Sequence, residues 1–144
     1  MLRTALAVAI GVGGAWQLHR MEPAQADEQP LLCRHGQLEL TGSDAVPALM
    51  LHAERDAASG WNLRIDARDF RFAPERANGA HVPGEGHAHL YVDGQKAARL
   101  YGPWYHLPSL GAGTHALRVT LNANDHRELA LGGQVIASTL TLRE

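Results

Sequence analysis

Three observations predict an all-β fold for this 144-residue chain. Apolar and polar residues alternate in short runs, as in Trp61-Asn62-Leu63-Arg64-Ile65-Asp66-Ala67, where Trp61, Leu63, Ile65 and Ala67 share one face. Gly, Asn, Asp and Pro punctuate those runs at short intervals. No segment sustains the 3.6-residue apolar period over the length that a helix needs. About seven short strands at this spacing make an antiparallel β-sandwich of immunoglobulin type, with apolar faces turned inward.

Residues 1–26 stand apart from that pattern. Arg3 supplies a positive start, residues 4–16 are an apolar run, and Ala24-Gln25-Ala26 offers small residues for cleavage before Asp27. This reads as an export signal, which makes 27–144 a single mature domain in the periplasm or outside the cell. An uncleaved anchor is the other reading, yet a membrane helix needs about 20 apolar residues and Gln17, His19 and Arg20 interrupt this run. Removal of Arg3, Arg20 and Glu22 with the signal leaves 11 basic against 14 acidic side chains, a net charge of −3. Cys33 is the single cysteine, so no intramolecular disulfide can form and packing has to hold the domain. It reads as a small buried hydrophobe, with soft metal ligation as its other use.

Along the mature chain, 31–40 begins the strand series and 46–55 follows the turn Gly42-Ser43-Asp44. The strand 61–67 is continued by Phe70 and Phe72 before Pro74. Residues 76–86, with Asn78-Gly79, Pro83-Gly84 and Gly86, form a long loop. The run that follows closes on Asp93-Gly94, a hairpin signal. A two-residue loop there would set Leu90 opposite Ala97 and Ala88 opposite Arg99, mixing apolar and charged groups. A three-residue loop instead groups Ala88 and Leu90 with Ala98 and Leu100, and this register is preferred because a one-residue slip exchanges the faces. It leaves His87, His89 and Tyr91 on the other face with Ala97, Arg99 and Tyr101, outside the main core. Residues 102–108, bounded by Pro103 and Pro108, suit a loop or an edge. His115, Leu117, Val119 and Leu121 alternate on one face, 122–126 is a polar turn, and 134–142 is the last strand.

The formal charge of −2 and the lack of a basic cluster disfavour nucleic acid as a partner. Ser43, Ser59, Ser109 and Ser138 lie in no nucleophile elbow, so the chain does not read as a hydrolase, and the metal-binding role expected below needs no enzyme chemistry. The histidines carry the chemistry. Six of the nine lie between His81 and His126. His87 and His89 flank Ala88 on one strand, so their side chains stand on one face about 6.5–7 Å apart. Two imidazoles so placed can grip one ion at about 2 Å each. His126, at the end of the Asn122–His126 turn, is the third candidate ligand, because a turn can carry a side chain across a sheet end. His81 and His106, on flanking loops, complete the candidate set. His115 faces the core by parity and reads as a structural histidine. Met50 reads as core filler, with thioether ligation of copper(I) as its other use. His35 and His52 have no partners in view. An imidazole-rich exported site suits copper(II), or zinc as the alternative; the lack of a cysteine cluster argues against iron–sulfur or thiolate zinc, and Asp125 alone cannot build a calcium site.

The stretches Phe70-Arg71-Phe72-Ala73-Pro74-Glu75, Gly84-Glu85-Gly86-His87-Ala88-His89-Leu90-Tyr91-Val92-Asp93-Gly94, Arg99-Leu100-Tyr101-Gly102 and Val119-Thr120-Leu121-Asn122-Ala123-Asn124-Asp125-His126 resemble a family of small exported bacterial domains. The resemblance covers residues 62–142. It implies an immunoglobulin-like sandwich and a place beside periplasmic copper-handling proteins, with another such protein as partner. Metal storage, delivery or sensing is the role expected. Two rivals remain open. One is an interaction module whose Tyr91, Tyr101, Trp104 and Tyr105 form a binding surface. The other is a copper redox enzyme, since a strand-borne His-x-His also occurs in copper–zinc superoxide dismutases, although the rest of their ligand pattern and their disulfide are missing here.

Overall fold

A computed structural model describes residues 36–41 and 45–144 of the chain. The candidate signal at 1–26, Cys33 and His35 lie outside the described residues. Among the described residues no helix is long and apolar enough to cross a membrane.

The described chain is built almost wholly from strands: β1 (Gln37–Glu39), β2 (Ala48–Arg55), β3 (Trp61–Arg68), β4 (Arg71–Phe72), β5 (Glu85–Val92), β6 (Gln95–Leu100), β7 (Trp104–Leu107), β8 (Thr114–Asn122), β9 (Glu128–Leu131), β10 (Gln134–Val135) and β11 (Ala137–Arg143). A single 3-10 turn, Pro74–Arg76, opens the loop before β5. Two sheets form a sandwich-like arrangement. The smaller runs β2-β3-β7; the larger runs β1-β9-β8-β5-β4, with β6 on β5, β11 on β8 and β10 on β9. Eleven strands among the described residues replace the seven expected: β4 and β9 are too short for alternation to show itself, the proline-bounded segment is a strand, β7, and the last run is two strands, β10 and β11. Two pairs, β1 with β9 and β4 with β5, are parallel, a departure from the all-antiparallel expectation.

The core lies between the sheets. Leu51, Leu63, Ile65 and Leu107 from the smaller sheet meet Ala88, Leu90, Leu100, Leu117, Val119, Leu121 and Leu142 from the larger. Each buried leucine or isoleucine contributes about 1.5–3 kcal/mol relative to exposure. The alternation in β3 falls as the pattern predicts: Leu63 and Ile65 are fully buried, with Trp61 and Ala67 packed against the same cluster. Phe70 and Phe72 do not continue β3. The chain turns at Asp69, whose φ of 53° is left-handed, and β4 joins the larger sheet beside the start of β5. Met50 is not core filler, since Leu49, Leu51 and Ala53 take the inward positions of β2 and leave Met50 55% exposed. His52, on the same outward face, pairs with Asp66 at 3.1 Å. The proline-bounded segment forms β7, an edge strand of the smaller sheet. The last run divides at Ile136 into β10 and β11.

His115 is structural, but it does not enter the core. It lies at the outer end of β8, where its Nδ1 contacts Asp93 Oδ2 at 2.8 Å and its Nε2 faces the Gly111 carbonyl at 3.3 Å. Two acceptors suit an imidazolium, which donates from both nitrogens. The Asp93 contact, aided by the Gly111 carbonyl, raises the His115 pKa above its ordinary 6.5; reciprocally, His115 and the Ala116 N–H lower Asp93 below its ordinary 3.8. The raised His115 stabilises the fold fully below pH 6.5, and its contribution fades as pH rises through the folded value. The lowered Asp93 contributes above pH 3.8 and fades as pH falls through its folded value. His115→Ala is therefore expected to lower the melting temperature more at pH 5.5 than at pH 8.5. Equal losses at the two pH values would remove the ion pair from this account.

Candidate metal centre

Strand β5 is central to the site because β6 and β8 flank it on either side. Its Ala88 and Leu90 face the core, so His87, His89 and Tyr91 face the opposite side of the sheet. Asn122, Thr120 and Arg118 of β8 stand directly across from these three. Gly86 permits the close approach that starts this pairing: a Cβ there would meet the Asn122 carbonyl oxygen.

The hairpin from β5 to β6 combines parts of both registers considered from the sequence. Asp93 and Gly94 form a two-residue loop, both with positive φ (50° and 80°), as a type I′ turn requires. Yet Ala88 pairs with Leu100 and Leu90 with Ala98, the register attributed to a three-residue loop. A shift after Leu90 reconciles the two: Tyr91 pairs with Lys96, and Ala97 is the extra residue of a bulge. The bulge turns Lys96, the only lysine, onto the histidine face.

His87 and His89 lie outside the hydrophobic core as expected, but they are not surface residues. Their exposures are 1% and 0%. The turn after β8 folds over the sheet and brings His126 onto them, with the Tyr101 ring 5.7 Å from that of His87. His87 Nε2 lies 3.0 Å from His89 Nε2 and 3.0 Å from His126 Nδ1. One nitrogen from each of the three residues falls within 4.8 Å of the others. Ligands held tetrahedrally at 2.0–2.1 Å from one ion stand about 3.3 Å apart, so the two 3.0 Å spacings at His87 Nε2 suit one ion.

The surrounding groups fix which nitrogen of His126 points inward. Asn78 Oδ1 lies 2.6 Å from His126 Nε2 and accepts its N–H, leaving the Nδ1 lone pair toward His87. Asn78 and His126 have left-handed backbones, φ 67° and 73°, a conformation uncommon outside glycine. Both are tied down. The Asn78 N–H donates to the Asn124 carbonyl (2.9 Å), and the His126 carbonyl accepts from Asn122 Nδ2 (3.0 Å), itself held by the buried Thr120 hydroxyl. Lys96 Nζ lies 3.0 Å from His89 Nε2 and, as an ammonium, can only donate to it.

With neutral imidazoles, His126 Nδ1 and His89 Nε2 are therefore acceptors, and the three facing nitrogens hold at most one N–H among them. That N–H, on His87, can serve one of its two close contacts. A cation between the nitrogens engages all three lone pairs, so the donor set fits a metal ion. Among the described residues no carboxylate belongs to the cluster. Asp125 is bound to Arg127 at 2.7 Å, and that contact lowers its pKa. Burial raises the pKa of Tyr91, which keeps its phenol neutral on this face.

His81 and His106 are not brought to the cluster. His106 is exposed on β7 and contacts Asn62 at 3.2 Å in the smaller sheet. His81 is half-buried in the loop before β5, and its field reaches Asp125. The four aromatic residues of the interaction-module reading also fail to share a surface. Tyr91 and Tyr101 lie beside the histidines, Tyr105 packs against the core, and Trp104 is 61% exposed on the smaller sheet. Sequence reasoning missed Lys96 and Asn78. Asn78-Gly79 signalled a turn without saying where that turn would dock, and Lys96 has the wrong parity until the bulge is known. No family model, no curated protein and no solved structure matches this chain.

Proposed function

We propose that this is an exported protein that binds one copper(II) ion, with zinc as the alternative, through His87 Nε2, His89 Nε2 and His126 Nδ1. Its role is to store, deliver or sense the metal in the periplasm, and it performs no chemical conversion. The convergence of three ring nitrogens within 4.8 Å carries the reading. Imidazole suits copper and zinc, and a ligand set without thiolate or carboxylate disfavours iron–sulfur clusters and calcium. The resemblance to exported domains near copper-handling proteins supports the compartment and the choice of copper.

Titration of metal-stripped protein with Cu(II) is expected to saturate at one equivalent, with three nitrogen ligands in the electron paramagnetic resonance spectrum. Asn78→Ala removes the acceptor that orients His126 and is expected to weaken copper about 10–100-fold, as loss of such supporting groups commonly does. No saturable binding by the wild type would end the metal reading. Unchanged affinity in Asn78→Ala would remove His126 Nδ1 as an oriented ligand.

A further inference from the structure

We propose that the three-histidine site takes its metal ion together with a small monoanion at the fourth coordination position, and that Lys96 is the residue that holds this anion. This rests on the metal-binding reading above. Three observations lead to it: where Lys96 Nζ lies, how charge is distributed on this face, and how exposed Lys96 is compared with the histidines.

The Nζ of Lys96 is 3.0 Å from His89 Nε2. The ammonium thus stands against one of the three ligand atoms, within reach of a group bound to the same ion. An ammonium cannot coordinate a metal, and an ion that takes the His89 lone pair competes with it directly. Lys96 itself is an exposed residue on a flexible four-carbon stem. Its nitrogen can withdraw slightly toward solvent and still point a donor at the fourth position.

Charge then selects what fills that position. Three neutral imidazoles leave both positive charges of a divalent ion uncompensated, beside two histidines of 1% and 0% exposure. Such an uncompensated charge in a buried setting is costly. Among the described residues the nearby carboxylates are committed elsewhere: Glu85 to Arg71 and Arg76, Glu128 to Arg118, and Asp125 to Arg127. Arg99, directly across from His89, adds a further positive charge and donates to the Tyr101 hydroxyl at 3.0 Å. The compensating charge therefore comes from solution. A halide or azide is the simplest such anion to lie beside the Tyr91 and Tyr101 rings, which stand 6.4 Å from the His89 ring and 5.7 Å from the His87 ring.

Azide is the probe. Copper-loaded full-length protein, titrated with azide and followed by the azide-to-copper charge-transfer absorption, is expected to bind one equivalent saturably. Lys96→Met is expected to weaken azide at least about tenfold, while Lys96→Arg, which keeps the cation, stays within about threefold of wild type. Copper affinity in Lys96→Met should equal or exceed that of wild type, since a competing cation has gone. The inference is overturned if azide gives no band, if Lys96→Met binds azide as wild type does, or if Lys96→Met loses copper, which would make the lysine a ligand. Wild type that takes up no copper would overturn the metal reading itself, and this inference with it.

Discussion

His89→Ala is expected to lower copper affinity by at least about a hundredfold, beyond the 10–100-fold typical of losing a supporting group. Because His89 is fully buried between β6 and β8, the same change is expected to destabilise the fold by about 1–3 kcal/mol. His87→Ala should behave alike, and the double variant should add little to the first loss of affinity, since one remaining histidine cannot hold the ion. His106→Ala, remote on β7, should leave copper binding unchanged. Calorimetric titration and urea unfolding of the four proteins separate the two effects. Copper affinity retained in both single variants would remove β5 from the site, whatever their stability.

The second large effect belongs to a residue without a side chain. Gly86→Ala drives a Cβ onto the Asn122 carbonyl, with Phe70 Cζ 3.1 Å away on the other flank. Backbone cannot yield as a flexible side chain does, so β5 and β8 must part where His87 pairs with Asn122. A cost of about 2–4 kcal/mol is expected. Copper affinity should fall with it, because ligand atoms have to be held to within about 0.5 Å. Urea midpoints and copper titration of Gly86→Ala test both consequences. Wild-type stability in that variant would mean that the strands can separate at little cost.

Much of this was legible in the chain before its coordinates. The two faces of β3 follow from Trp61 to Ala67 alone, and Ala88 and Leu90 identify the inward side of β5 because their partners in β6 are apolar. The convergence of His87, His89 and His126 was legible from a strand pair and one turn. Burial of the first two was not, because it depends on how the turn after β8 folds back, and nothing in Asn-Ala-Asn-Asp-His encodes that direction. His115 shows a related limit: parity tells which side a residue faces, but not where along the strand the core ends. Met50 illustrates the reverse error, an apolar residue assigned inward by type although Leu49 and Leu51 on either side claim the inward positions. Strands of two to four residues such as β4 and β9 are too short to carry a period, and they were missed for that reason.

The bulge between β5 and β6 makes the placement of one residue a chemical variable. A three-residue turn with Ala97 paired to Tyr91 would keep Leu90 on Ala98 and Ala88 on Leu100, so the core would not register the change. Lys96 would then lie opposite Val92, and its charge would leave the histidine side altogether. Two chains sharing Gly-His-Ala-His and the same core pairing, but absorbing the extra residue in the turn or in the strand, would share three imidazoles and yet present an arriving ion with different electrostatic surroundings. In such a hairpin the place of the extra residue specifies the site as firmly as the histidines do.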